Sequence, residues 1–224
     1  MQAALPIGKF LWFTKSDQIK IDFHPIVQHL GLPFMVKSAS LGSSVGVSKV
    51  SSEEDFQDAV NDSLKYDNEV LFEEYIEGRE IECAILGNYP PAASRPGEIV
   101  ISNKYEFYTF DAKYVDPEAV RIEVPAQLET SIIANIQSIS VKAFEILRCQ
   151  DYARVDLFLS NKGKVFINEI NTIPGFTNSS MFPMMWKEKG ISFTDLVSRL
   201  INIALDRHNK GSKVSRDFQS ELKY

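Results

Sequence analysis

Residues 151–177, DYARVDLFLSNKGKVFINEINTIPGFT, restrict what the chain can fold into more than any other stretch. Polar and apolar residues alternate over Tyr152 to Leu159 and again over Lys164 to Ile170, and Asn161 and Gly163 between them tolerate the backbone of a tight turn. The pattern predicts a β-hairpin. Side chains alternate across a strand, so Arg154, Asp156 and Phe158 share one face of the first strand, and Glu169 and Asn171 share one face of the second. Two carboxylates and a carboxamide are hard oxygen donors of the kind Mg2+ accepts beside water and phosphate oxygens, and a guanidinium among them suits an anionic substrate. The plainer reading is the solvated face of an ordinary two-sided hairpin. The TIPGFTNSSMFP that follows, a Pro-Gly turn and then small polar residues, exposes backbone donors next to the acids and weights the pattern toward a site.

The 224 residues are 44% hydrophobic, enough to bury the core of one large or two small domains. A formal charge of -6 with scattered Lys and Arg argues against a nucleic-acid partner or an anionic membrane surface. Cys83 and Cys149 lie far apart with no metal-ligand spacing, which fits reduced core thiols in a cytoplasmic protein. Neither an export signal nor a membrane span is expected, since there is no long apolar run and no basic, then apolar, start.

Taken in order, the chain predicts a strand over residues 8–14, a helix over His24 to Leu30, and a strand over Pro33 to Lys37. KSASLGSSVGVSKV then forms a Gly/Ser loop between Lys37 and Lys49. Its many backbone N–H groups suit phosphate, although it lacks the spacing of a Walker loop and, taken by itself, such a loop is more often a flexible surface turn. Ser52 is placed to cap a helix whose inner face carries Phe56, Ala59, Val60 and Leu64. EVLFEEYIEGREIECAILGN reads as two strands turning at Glu77 and Gly78, with Glu73 and Tyr75 sharing a face of one and Glu80 and Glu82 a face of the other. Glu82 is expected to face solvent. Short strands follow over 89–101, and the aromatic stretch NKYEFYTFDAKYVDPE, with Lys104 and Lys113, has the length of a lid. A long helix is expected over Ala126 to Leu147, its core face formed by Leu128, Ile132, Ile136, Ile139, Ala143 and Ile146, and a last one over Phe193 to Arg207. The class is α+β, with two lobes of mostly antiparallel sheet: residues 1–76, residues 77–210, and a polar tail over 211–224. The boundary near Ile76 to Gly78 places a cleft between the lobes.

VKSASLGSSVGVSKV, VLFEEYIEGREIECAILGN, FDAKY, ARVD and NEINTIPGFTNSSM together resemble, in order, the D-alanine:D-alanine ligases of the ATP-grasp superfamily. The resemblance implies the ATP-grasp fold and ATP-dependent joining of two D-alanines, through an acylphosphate, for peptidoglycan precursors. It implies two Mg2+ ions, with Mn2+ as a substitute, held by Asp156, Glu169 and Asn171. ATP is assigned to Lys37, Ser43, Ser44, Glu73, Tyr75, Ile76, Glu80 and Lys113, with Gly42, Val45 and Gly46 in the covering loop. Ser43, Tyr114, Arg154 and Gly175 fall at catalytic positions, Ser43 as a positioning group paired with Tyr114. Ser180 and Met181 fall where the second amino acid's carboxylate is oriented. Tyr114 favours a dipeptide over a depsipeptide product. Ser38 replaces a usual Pro and Thr109 a usual acid, both tolerable.

The family's N-terminal Rossmann-like domain, with its HGxxGE segment and a Glu for the first alanine's ammonium, has no match, so the chain is expected to be a truncated form needing that domain as partner. Relatives are often homodimeric through that region, which gives little basis for a dimer here. The competing expectations are a nucleotide-binding fragment without turnover and a depsipeptide ligase of the D-alanine:D-lactate type.

Overall fold

The structure, a computed structural model, describes residues 4–102, 105, 116 and 118–213. Strands β1 (Phe10–Thr14), β2 (Phe34–Ser38), β3 (Val47–Val50) and β4 (Glu69–Glu74) form an antiparallel sheet in the order β1-β4-β2-β3. Helices α1 (Phe23–Leu30) and α2 (Glu53–Tyr66) pack on it. Asp22 starts α1 by accepting the His24 amide at 2.9 Å, and Gly31, with φ at 85°, ends it in a conformation that a side chain would resist. At the start of α2, Asp55 reaches back to the Ser52 amide at 3.2 Å and its hydroxyl at 2.9 Å. Between sheet and helices lie Phe23, Phe34, Phe56 and Phe72, with ring centroids 5.5 to 6.2 Å apart. Each fully buried ring contributes about 2 to 3 kcal/mol.

The second sheet is also antiparallel. It contains β5 (Gly78–Leu86), β6 (Ala92–Ala93), β7 (Gly97–Ile101), β8 (Val120–Glu123), β9 (Tyr152–Ser160) and β10 (Val165–Asn171) in the order β10-β9-β5-β7-β8, with β6 paired to β5. Alternation assigns its two faces different tasks. Ile81, Cys83, Ile85, Val155 and Leu157 pack under α3 (Thr130–Ile146). On the other face Ala84, Leu86 and Tyr152 lie beneath α4 (Met181–Glu188) and α5 (Phe193–Gly211), and the same rows continue through Glu82, Arg154 and Asp156 to Glu80 and Phe158.

Residues 6–9 tie the two sheets together. Pro6 accepts the Ile167 amide at 2.8 Å, while Lys9 accepts the Glu74 amide at 3.0 Å and donates its own to the Glu74 carboxylate at 2.8 Å. Gly78 opens β5 against Ser160, and a Cβ there would lie 2.7 Å from the Ser160 Cα, so the approach of β5 to β9 requires glycine. No helix among the described residues is long and apolar enough to cross a membrane.

Several local expectations change. The long helix begins at Thr130 rather than Ala126, because the Ala126 amide is bound to the Pro96 carbonyl at 2.8 Å as part of the sheet's edge. Its buried face includes Ser140 and Phe144, whereas Ile146 is exposed. The segment after the Pro-Gly turn, read as loop, contains α4, with Met181, Phe182, Met185 and Trp186 buried. Glu82, expected at the surface, is only 4% exposed: it lies 3.1 Å from Arg154, on the face whose next residues, Ala84 and Leu86, pack beneath α4 and α5. Cys83 is buried and Cys149 only partly so.

Candidate active site

A cleft of about 310 Å³ lies between the two sheets. Met35 and Leu71 supply apolar walls from the first sheet, Phe158 and Ile101 from the second, and Ile76 from the linker joining β4 to β5. A flat apolar slot with polar groups around its rim suits a planar heterocycle carrying charged substituents. Lys37, Glu73, Glu80, Asn168 and Glu169 supply that rim. Lys37 forms an ion pair with Glu73 and donates to the Asn168 side-chain oxygen at 3.1 Å, so its ammonium stands between the two sheets. Tyr75 lies under the Lys49 ammonium, 4.6 Å from ring centroid to nitrogen.

The Gly/Ser loop also lines the cleft, through Leu41, Gly42, Ser43 and Ser44. Ser43 and Ser44 both have φ at 59°, a left-handed conformation uncommon outside glycine. The loop's base is anchored where the Ser40 amide donates to Asp67 at 2.7 Å, and that bond is the leading cause that holds the Asp67 carboxyl below its ordinary value.

The hairpin residues converge as their spacing predicts. The Asn171 side-chain nitrogen donates to Asp156 at 2.9 Å and to Glu169 at 3.0 Å, so the three side chains meet with the amide group between two carboxylates. Arg154 grips Asp156 with two bonds of 2.7 Å, from Nε and Nη2, and its Nε also lies 3.1 Å from Glu82. Burial raises the Asp156 pKa, outweighing the pull of Arg154 in the other direction, and Glu169 adds to the rise. For Arg154, burial opposes its charge, but the Asp156 hydrogen bonds and the charges of Asp156, Glu82 and Glu169 overcome it and raise its pKa. Among the described residues no cluster of three or more His, Cys, Asp or Glu is arranged to hold a metal. The Asp156–Glu169–Asn171 set, two carboxylates and an amide, fits a hard divalent cation once the Asn171 amide is turned to present its oxygen, with water or phosphate filling the remaining positions.

Beyond the hairpin, the Ser180 hydroxyl accepts the Thr177 amide at 3.0 Å, and a Cβ on Gly175 would sit 3.2 Å from it. These contacts join Gly175 and Ser180 in one turn. Met181, the next residue, has its side chain in the core. Lys113 and Tyr114, with Lys104 and Thr109, lie outside the described residues.

Phe158, Met35, Leu71 and Asn168 line the cleft without having been singled out for it. Phe158 was legible from its shared face with Arg154 and Asp156. Asn168 was not, because a register shift between Ile167 and Glu169 breaks the alternation and lets Asn168 and Glu169 both line the cleft.

Two open antiparallel sheets clasping a cleft, with a Gly/Ser loop on one and clustered acids on the other, constitute the ATP-grasp fold. The family model described as D-ala D-ala ligase C-terminus matches residues 1–202, and the chain belongs to that family. It is 48% identical over 206 residues to D-alanine--D-alanine ligase A of Escherichia coli K12, covering 92% of this chain and 56% of that protein. With the D-alanine--D-alanine ligase of Oceanobacillus iheyensis the identity is 44% over 212 residues, covering 95% and 57%. The chain thus spans a little over half the length of these curated relatives. The D-alanine-D-alanine ligase structure from Coxiella burnetii superposes with a TM-score of 0.79 at 37% identity, covering 94% of this chain and 55% of that one. The VanG D-Ala:D-Ser ligase from Enterococcus faecalis also gives 0.79, at 32% identity and covering 90% and 57%.

Proposed function

We propose that this chain carries the nucleotide and metal half of a cytoplasmic, ATP-dependent D-alanine:D-alanine ligase serving peptidoglycan synthesis. The observation that carries the reading is the convergence of Asp156, Glu169 and Asn171 at the mouth of a cleft whose rim holds Lys37. Residues 1–76 and 77–210 are assigned to the two lobes that grip ATP.

The adenine lies between Met35 and Leu71 on one side and Phe158 on the other, with Glu73, Tyr75 and Ile76 at its edge and Glu80 at the ribose. Lys37, Ser43, Ser44 and Lys113 bind the phosphates. Asp156, Glu169 and Asn171 hold Mg2+, which neutralises phosphate charge when bound. A carboxylate must be phosphorylated before an amine can displace its oxygen, so the protein's task is positioning and charge stabilisation rather than covalent catalysis. Arg154 and the Gly175 amide face the oxyanion that forms when the amine attacks, while Ser180 and the Met181 amide hold the acceptor's carboxylate. Ser43 and Tyr114 close the site.

The test is ATP-dependent phosphate release with D-alanine, by this chain alone and with the N-terminal part of a relative supplied in trans. Activity only with the added part is expected; activity in neither arm, with the chain folded, refutes the ligase reading. The likeness to a D-Ala:D-Ser ligase keeps a second reading open, a different acceptor, and D-serine and D-lactate in the same assay separate the two.

A further inference from the structure

Glu82 has a place that the proposed reaction does not use. In the antiparallel register Glu82 of β5 lies opposite Asp156 of β9, which lies opposite Glu169 of β10. Three carboxylates therefore stand in a row across adjacent strands, an arrangement that like charges disfavour. Glu82 is also the costliest of the three to retain, for it is 4% exposed and the next residues on its face, Ala84 and Leu86, belong to the apolar core beneath α4. An apolar side chain would pack there without a desolvation penalty, so the carboxylate needs a partner. That partner is Arg154, whose Nε lies 3.1 Å from Glu82 and 2.7 Å from Asp156.

Arg154 occupies both oxygens of Asp156, including the one that accepts from Asn171. A cation held by Asp156, Glu169 and Asn171 has to compete with the guanidinium for that oxygen. We propose that Glu82 is a positioning residue, the second seat of Arg154: it keeps the guanidinium by its Nε while Asp156 is released to the metal. Without Glu82, Asp156 is the one carboxylate among the described residues left within ion-pair distance of the guanidinium, and metal binding must draw that partner away from a buried cation. The inference rests on the metal assignment made above and adds to it a residue that touches neither metal nor nucleotide.

The experiment compares Mn2+ affinity, read by electron paramagnetic resonance of free Mn2+ in the presence of ATP, for the unaltered chain and Glu82→Gln, with thermal unfolding measured without metal. Glu82→Gln is expected to bind Mn2+ about tenfold more weakly while melting within a few degrees of the unaltered chain. The same change is then made in an Arg154→Met background, or Arg154→Lys if the first does not fold. There Glu82→Gln is expected to alter Mn2+ affinity less than about twofold, since no guanidinium needs a second seat. An equal loss in both backgrounds means that Glu82 acts only as a distant charge and overturns the proposal. So does unchanged Mn2+ affinity in Glu82→Gln, whatever its melting temperature. If the unaltered chain binds no Mn2+, the metal assignment falls as well, which distinguishes that failure from the failure of Glu82 alone.

Discussion

Gly78→Ala tests how closely β5 must approach β9, its neighbour in the second sheet, at the wall of the cleft. The added Cβ would lie 2.7 Å from the Ser160 Cα and 2.8 Å from the Leu159 carbonyl carbon, and closer still to the Leu159 oxygen. All three are backbone atoms of the neighbouring strand, so no rotamer change relieves the contact. Ordinary carbon contacts sit near 3.5 to 4.0 Å, so the start of β5 must move away from β9 by about 1 Å. That movement strains the pairing of Gly78 with Ser160 and the 3.2 Å bond from the Asn161 amide to the Glu77 carbonyl. Overpacking of this kind costs about 1 to 3 kcal/mol, and a weakened backbone bond about 1 kcal/mol more. A total of about 2 to 4 kcal/mol corresponds, for a chain of this size, to a fall of roughly 5 to 15 °C in melting temperature. Because Gly78 lines the cleft between Ile76 and Glu80, ATP affinity measured by calorimetry should fall as well. Gly163→Ala is the control: its Cβ meets nothing within 4 Å, and its φ of 74° carries only backbone strain of about 1 kcal/mol. A Gly78→Ala chain that melts within about 2 °C of the unaltered protein, or higher than Gly163→Ala, would refute the argument from close approach.

Glu169→Ala should weaken binding of Mg2+-ATP at least about tenfold while moving the melting temperature little, since Glu169 is exposed on an edge strand; unchanged affinity by calorimetry would remove it from the metal set. Phe158→Ala takes away one apolar wall of the cleft and should raise the Kd for ATP about tenfold, with similar losses for ADP and AMP if the ring meets the base. A loss confined to ATP would place Phe158 at the phosphates instead. Burial pushes the Cys83 thiol up to about 11, so the native chain should leave it unmodified by iodoacetamide at pH 8, with Cys149 reacting first. Because the folded pKa of Cys83 lies above its ordinary value of 9.0, its contribution to stability is complete below pH 9 and is lost as pH rises through about 11. Cys83→Ala should lessen that alkaline loss in thermal melts, and equal losses in both chains would contradict it.

The hairpin and its acids were legible because strand alternation is a local rule: Arg154, Asp156 and Phe158 lie on one face whatever the rest of the chain does. The rule says nothing of what covers that face. Glu80 and Glu82 alternate identically in sequence, yet Glu80 opens on the cleft and Glu82 is buried beside Arg154, a difference fixed by residues more than seventy positions away. The rule also fails at the register shift that brings Asn168 beside Glu169. Helix α4 was missed because its small polar approach and Pro183 read as loop, although Pro is tolerated in a first turn and Ser180 is an ordinary cap. The start of α3 was misplaced for a different reason, since the tie from Ala126 to Pro96 is a contact between segments that leaves no mark on hydrophobic spacing.

The ion pairs have a common logic on both sides of the cleft. Lys37 is paired with Glu73, and Arg154 with Asp156, so each cation is held by an acid to which the proposed reaction gives another partner. A charge left unpaired inside a cleft would cost several kcal/mol, and these pairs avoid that cost. The same pairs then set the order of exchange. Phosphate oxygens must draw Lys37 away before Glu73 can meet an adenine amine, and a divalent cation must displace Arg154 before Asp156 can serve as its ligand. A nucleotide without metal can satisfy only the first exchange, and metal without nucleotide only the second. In the proposed reaction a cation held by the acids would also meet the phosphate oxygens that draw Lys37 away, so each ligand alone should bind more weakly than in the other's presence, a mutual effect that linkage requires to be equal in both directions. Calorimetric titrations of ATP with and without Mn2+, and of Mn2+ with and without ATP, corrected for the association of the two in solution, measure both sides of that cycle. Independent binding would show that the two exchanges are not joined through the cleft.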